Sequence, residues 1–139
     1  MNNLEKFSDL IGRVLISAIF LVSGFGKIAQ YAGTQAYMAA SGVPGSLLSL
    51  VIALEIGGGL AIVVGYKTRW AAVALAGFSI VSAFIFHGNF ADQIQQIMFL
   101  KNLAMAGGFL VIAARGAGAL SLDARAHRAQ NVAATRVIA

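Results

Sequence analysis

Few side chains in this sequence could do chemistry, and the most informative of them lie inside long apolar stretches. Glu55 lies near the middle of one stretch, and Lys101 and Asn102 lie within another. A charged side chain at the centre of a membrane-spanning helix costs about 2.5–3.5 kcal/mol, so such residues are usually paired and functional. Glu55 should therefore face a helix contact. Gly58 and Gly59, one turn later, support this because glycine lets another backbone approach closely.

The predicted partner of Glu55 is Lys101, and Arg13 and Lys27 are alternatives. One helical seam on the first apolar stretch has the spacing of a face that packs against other helices. This seam, predicted to face the interior, consists of Arg13, Ser17, Phe20, Gly24 and Lys27.

Six residues are the candidates for one polar pocket: Glu55, Lys101, Asn102, Lys27, His87 and Arg13. Two interpretations remain open. The residues could bind a small ligand inside an apolar shell, or an ion pair of Glu55 could only fix the register of the helices. No catalytic residue is assigned. The chain has no cysteine, which excludes a disulfide, a zinc–thiolate site and an iron–sulfur cluster, and we expect no metal site.

Four apolar stretches must position these residues, at about 10–28, 47–66, 70–86 and 97–114. A helix needs roughly 20 apolar residues to cross a bilayer. The chain is 59% hydrophobic and 11% charged, whereas soluble domains have about 45–50% apolar and about 25% charged residues. A soluble bundle is the alternative, but 70–86 has no polar stripe that could face water. The sequence predicts an all-α, integral membrane four-helix up-and-down bundle over 1–123, followed by a basic tail, 124–139.

Basic residues gather at one end of the predicted bundle. Lys67 and Arg69 occupy the short link after the second stretch, and Arg115 and the tail follow the fourth. Since cytoplasmic loops carry an excess of lysine and arginine, both termini are predicted to be cytoplasmic. The net charge of +5 forms no nucleic-acid-like patch, so the expected partner is the lipid bilayer and not a nucleic acid. The tail should be either solvated or bound along anionic lipid.

The sequence resembles the DoxX family of bacterial membrane proteins over nearly its whole length, to about Asp123. The stretches that carry the resemblance are RVLISAIFLVSGFGKI from Arg13, YAGTQAYMAASGVPG from Tyr31, LEIGGGLAIVVGYKTR from Leu54, FIFHGNFAD from Phe84, and FLKNLAMAGGFLVIAARGAGALSLD from Phe99. The resemblance implies a multi-pass protein of the bacterial inner (plasma) membrane. The family name derives from a membrane subunit of a thiosulfate:quinone oxidoreductase, and other relatives are linked to oxidative or electrophile stress and to soluble redox enzymes. Many members have no assigned activity.

The leading hypothesis is a membrane component of a quinone-linked redox or oxidative-stress-response system. No covalently bound cofactor is expected. Lys101 or Asn102 would donate to a quinone carbonyl, and Glu55 would accept or supply a proton, with a soluble redox enzyme as partner. One alternative is a non-enzymatic scaffold or anchor that recruits such an enzyme. Another is a small-molecule or proton permease, which with so few helices would need to form a homo-oligomer.

Overall fold

The chain folds into helices only, four of them long and apolar enough to cross a membrane. The computed structural model describes residues 2–138, with side chains as far as residue 135, so Ala139 of the predicted tail lies outside the described residues. The helices are α1 (Asn3–Ala29), α2 (Tyr31–Ala40), α3 (Leu48–Val64), α4 (Thr68–Phe86), α5 (Gln93–Arg115) and α6 (Leu122–Ile138). A short 3-10 turn, Gly45–Leu47, precedes α3. The predicted all-α four-helix membrane bundle is confirmed.

Three of the spanning helices begin earlier than predicted, and polar side chains cap two of these starts, those of α1 and α5. At the start of α1, the Asn2 side chain accepts a hydrogen bond from the Glu5 N–H (2.8 Å), and the Glu5 carboxylate accepts one from the Asn2 N–H (2.9 Å). This reciprocal capping box satisfies N–H groups that have no partner within the helix. At the start of α5, the Asp92 carboxylate accepts from the Ile94 N–H (2.8 Å).

The spanning helices pack as two pairs joined by a hairpin. α1 lies along α3, α4 lies along α5, and the short α3–α4 link makes those two helices neighbours. Phe20, Ile62, Leu75 and Phe109 form the buried core where the pairs meet. The rings of Phe20 and Phe109 pack edge to face, with centroids 5.3 Å apart.

Most of the outer surface is apolar, as a lipid-facing protein requires. Only 17–28% of the residues in the apolar part of each spanning helix are buried within the protein. Large apolar side chains such as Leu15, Val22, Leu50 and Phe84 are exposed on the outside. In water such a surface would be a large aggregation-prone patch, whereas in a bilayer it faces hydrocarbon at no cost.

A short helix covers the end of the bundle where α1 finishes. The four predicted stretches leave this part of the chain unassigned, and the structure forms α2 here. Met38 of α2 is buried, and the Tyr37 ring stacks on Phe86 of α4 at a centroid distance of 5.4 Å. α2 therefore joins the end of α1 to the end of α4 across the bundle.

The segment that leads into the predicted tail forms a docked helix, and the tail itself continues this helix with residues 125–135 exposed. α6 starts at Leu122, and the Ser121 hydroxyl caps it by accepting from the Ala124 N–H at 3.1 Å. Alanine and arginine, which dominate this segment, are strong helix formers. The exposed part of α6 then extends away from the bundle.

One carboxylate attaches α6 to the α3–α4 link. Asp123 accepts hydrogen bonds from the backbone N–H groups of Lys67 (2.8 Å) and Thr68 (3.0 Å), and its own N–H donates to the Gly65 carbonyl (2.8 Å). Burial disfavours the ionised carboxylate, but the N–H donors and nearby His127 outweigh burial, so the pKa of Asp123 is lowered. The tail is thus held by an acid that stays charged.

Candidate functional site

A cavity of about 550 Å³ lies in the half of the bundle that α2 covers. All of α1 to α5 contribute to its walls, which are mainly apolar, with Phe20 and Phe78 towards the middle of the bundle. We call it the bundle cavity. Its polar side chains are Ser23, Lys27, Thr34, Glu55, Ser82, His87, Lys101 and Asn102, together with the Tyr37 hydroxyl.

Glu55 and Lys27 form an ion pair in the wall of the bundle cavity. Lys27 Nζ lies 3.0 Å from Glu55 Oε1, and the side chains are 24% and 4% exposed. The Ser23 hydroxyl completes a triangle, since it accepts from Lys27 Nζ at 2.5 Å and donates to Glu55 Oε1 at 3.2 Å. Glu55 Oε2 is buried and has no hydrogen-bond partner within the described part of the chain. The carboxylate is therefore only half satisfied by the protein.

Glycines bring α1 close enough to α3 for this pair to form. A Cβ atom on Gly24 would lie 2.6 Å from a side-chain carbon of Ile56, and one on Gly59 would lie 2.9 Å from Leu21. Both distances are shorter than Cβ contacts in real proteins, so larger residues would push the two helices apart. The predicted close approach at Gly59 is observed, with the Ser17 carbonyl of α1 3.7 Å from its Cβ position, on the helix pair that carries Lys27 and Glu55.

The predicted pairing of Glu55 with Lys101 is wrong. α5, which carries Lys101, packs on α4, and the helix beside α3 on the Glu55 side is α1. Lys27, one of the two alternatives, is therefore the partner. Lys101 is an exposed residue that lines the bundle cavity from the α5 side.

Asn102 and His87 also reach the bundle cavity. Asn102 Nδ2 donates to the Met98 carbonyl one turn earlier, at 3.0 Å, which leaves its second N–H and its oxygen for other partners. His87 Nδ1 lies 2.8 Å from Gln95 Oε1 across the α4–α5 link. Five of the six predicted pocket residues thus lie around one cavity.

Arg13 is the exception, because it belongs to the opposite end of the bundle. It is 2% exposed, and its guanidinium donates to the carbonyls of Ile62 and Val63, each at 2.9 Å, and of Leu120. The first two carbonyls end α3, where a cation also offsets the negative end of the helix dipole. Arg13 therefore joins α1, α3 and the α5–α6 link and does not line the bundle cavity.

Four polar cavity residues, Ser23, Thr34, Tyr37 and Ser82, were not identified from the sequence. Ser23 precedes Lys27 by one helical turn, a spacing that could have indicated their contact. Thr34 and Tyr37 lie on α2, and no pattern in the sequence places that short helix over the bundle. All four add hydroxyl groups to a wall that is mainly apolar.

Comparisons with known proteins agree with this architecture. The DoxX family model matches residues 8–88. The chain is similar to the inner membrane protein YqjF of Escherichia coli (strain K12), with 52% identity over 123 residues, which cover 88% of this chain and 95% of YqjF. It is also similar to the inner membrane protein YphA of the same organism, with 37% identity over 84% of this chain and 88% of YphA. No solved structure matches the chain significantly. The chain belongs to the DoxX family.

Proposed function

We propose that the bundle cavity binds the head group of a membrane quinone, and that the protein is the membrane component of a quinone-linked redox system. The observation that carries this proposal is Glu55. Its side chain lines a mainly apolar cavity, and its Oε2, which must turn towards the cavity to meet a ligand, is buried without a hydrogen-bond donor among the described residues. A buried acceptor left unpaired costs about 1–3 kcal/mol or more, so it favours a ligand that brings an O–H group.

The size and composition of the bundle cavity suit such a ligand. Small-molecule sites have volumes of about 300–1,000 Å³, with apolar walls and a few polar groups that orient the ligand. The volume of about 550 Å³ falls in this range. A quinol hydroxyl would donate to Glu55, and Lys101 or the second N–H of Asn102 would donate to the other ring oxygen. The isoprenoid chain of the quinone would remain among the lipid tails.

In this role the chain's own residues bind the ring and handle protons, while a soluble redox enzyme supplies or accepts the two electrons. Reduction of a quinone to a quinol takes up two electrons and two protons. Glu55 would exchange one of the protons, with Lys27 at 3.0 Å stabilising its charged form. His87, which also lines the bundle cavity, would exchange the other.

Equilibrium binding of a short-chain ubiquinone and a menaquinone analogue to the purified protein in nanodiscs tests the proposal. Lys101→Met should weaken binding by about tenfold, the value of one charged hydrogen bond of about 1.4 kcal/mol. This variant retains the Lys27–Glu55 pair and should fold normally. Glu55→Gln should weaken quinol more than quinone, because the amide is a poorer acceptor. Arg125→Gln, an exposed basic residue of α6, is the matched control.

A non-enzymatic anchor for a soluble redox enzyme is the second candidate, and one observation favours it. Residues 125–135 of α6 are all exposed, so this basic helix presents a free surface beyond the bundle. If the parent protein binds neither quinone while removal of α6 abolishes recruitment of a soluble enzyme, the anchor replaces the quinone site. Equal quinone binding by Lys101→Met, Glu55→Gln and the parent protein would also refute the quinone site.

A further inference from the structure

A second cavity lies at the other end of the bundle, and the quinone proposal does not use it. Its volume is about 320 Å³, and it lies where α4 begins, α5 ends and α6 begins. We call it the basic-end cavity. Its walls include Lys67, Arg69 and Arg115, with Asp123 as the one carboxylate. These four groups leave a net charge of +2 before any contribution from His127.

Asp123 does not neutralise the basic groups around it. Its two oxygens accept backbone N–H groups of Lys67 and Thr68. Among the side chains that the structure describes, the ion pair found is that of Lys27 and Glu55, in the other cavity. Lys67, Arg69 and Arg115 therefore form no ion pair with an acidic side chain within residues 2–135. Because like charges held close together repel one another, an anion bound between them would be favourable.

Arg69 lies against the turn of backbone that directly follows Arg115, and both arginines line the cavity. Arg69 Nε lies 3.7 Å, and its Nη2 3.8 Å, from the position that a Cβ would occupy on Gly116, the residue that follows Arg115. Gly116 has a φ of 87°, so the chain turns sharply at this point. A guanidinium presents paired N–H donors that match the oxygens of a phosphate group. The geometry suits one tetrahedral anion between the ends of α4 and α5.

The position of the cavity along the bundle indicates where the anion comes from. Trp70, in the first turn of α4, lines the cavity and is 79% exposed. Tryptophan is enriched at the boundary between lipid and water, and the apolar spans of α4 and α5 extend away from this level. Basic pockets between helices at this depth bind the head groups of anionic lipids.

We propose that the basic-end cavity binds the phosphate of one anionic phospholipid head group, with Arg69 and Arg115 as its principal ligands and Lys67 beside them. The inference does not depend on what the bundle cavity binds. A lipid phosphate and a free phosphate ion would make the same hydrogen bonds with the arginines, so the test must show which of the two is bound. It must also separate a lipid from an acidic peptide segment of a partner protein.

Native mass spectrometry of the full-length protein in detergent, titrated with phosphatidylglycerol or phosphatidylcholine of equal chain length, tests the proposal. The parent protein should retain one phosphatidylglycerol in preference to phosphatidylcholine. Neutralising one basic residue should weaken this binding about fivefold, the equivalent of about 1 kcal/mol, so Arg69→Gln/Arg115→Gln should weaken it about 25-fold. Both arginines are exposed, so the fold should survive, and circular dichroism and the two single variants check this.

A matched control removes the same charge elsewhere. Lys6→Gln/Arg125→Gln neutralises two residues that do not line the basic-end cavity and should change phosphatidylglycerol binding by no more than about twofold. Equal losses in both double variants would overturn the proposal, as would equal retention of the two lipids by the parent protein. Release of the lipid by inorganic phosphate or by an oligoglutamate peptide at low concentration would assign the cavity to those ligands instead.

Discussion

Replacing Lys27 with methionine should destabilise the protein far more than the same change at Lys101. Methionine keeps much of the apolar length of lysine and removes the ammonium group. In the Lys27 variant the Glu55 carboxylate, 4% exposed, loses its cation and keeps only the Ser23 hydroxyl. In the Lys101 variant no ion pair is lost, because the partner of Glu55 is Lys27.

The geometry of the pair sets the size of the expected effect. Two unit charges at the observed 3.0 Å attract by about 5 kcal/mol at an effective dielectric constant of about 20. Desolvation cancels part of this attraction, and removal of one partner from a buried pair costs about 3–5 kcal/mol. Because the Lys27 side chain is 24% exposed, water can replace some of the interaction, and we expect a loss of about 2–3 kcal/mol.

A double-mutant cycle isolates the pair from other effects of each change. Lys27→Met/Glu55→Gln leaves no unpaired charge, so it should be about 1 kcal/mol more stable than Lys27→Met alone. Reversible unfolding in mixed micelles, followed by circular dichroism, gives the free energies of unfolding. The reasoning is refuted if Lys27→Met matches Lys101→Met within about 0.5 kcal/mol, or if the two changes of the cycle are additive.

Four further predictions concern the opposite end of the bundle. Gly65→Ala should lower the free energy of unfolding by at least about 1–2 kcal/mol, since Gly65 has a φ of 71° and abuts Ser121. Gly77→Ala, with open space around its Cβ position, should not lower it in the same unfolding assay. Asp123→Ala should detach α6 and speed trypsin cleavage of the tail, whereas Asp92→Ala, a cap on α5, should leave that rate unchanged. Acid should also detach α6. Because the pKa of Asp123 is lowered in the folded protein, this carboxylate stabilises the docked helix fully above its ordinary pKa of 3.8, and the stabilisation is lost as the pH falls through the lower folded pKa. Pepsin cleavage of the tail at low pH measures the detachment. Arg13→Met should cost about 2–4 kcal/mol of stability and leave ligand affinity at the bundle cavity unchanged, as unfolding and binding measured on one preparation will show.

The inward face of α1 could be predicted from spacing alone. Arg13, Ser17, Phe20 and Gly24 recur at helical intervals among apolar residues, and all four are buried in the structure. Helical periodicity fixes which residues share a face, and in a lipid-facing helix the polar or small face must turn towards protein. The same reasoning identified Glu55 as an interior residue.

The sequence did not determine whether Lys27 or Lys101 is the partner of Glu55. Lys27 and Lys101 both line the half of the bundle that holds the carboxylate. The choice between them depends on the order of helices around the bundle, and short links constrain only α3 and α4 to be neighbours. The local pattern identified Gly24 and Gly59 as positions of close packing, but it did not show that these two glycines face each other's helices, α3 and α1.

Contacts between distant segments account for the remaining differences. Arg13 was expected in the ligand pocket, yet one of its acceptors, the Leu120 carbonyl, lies 107 residues further along the chain. The tail resembled a solvated segment because its composition is polar, but Asp123 docks its first turn on the α3–α4 link. Each feature joins a segment near residue 120 to a much earlier part of the chain, to α1 in one case and to the α3–α4 link in the other, and both depend on tertiary placement.

The ring contacts at mid-bundle divide the interior into two compartments. Phe20 packs edge to face on Phe109 at 5.3 Å and on Phe78 at 6.4 Å, and buried Ile62 and Leu75 fill the space beside them. An apolar layer therefore separates the bundle cavity, which Phe20 and Phe78 line, from the basic-end cavity at the opposite end of the described helices.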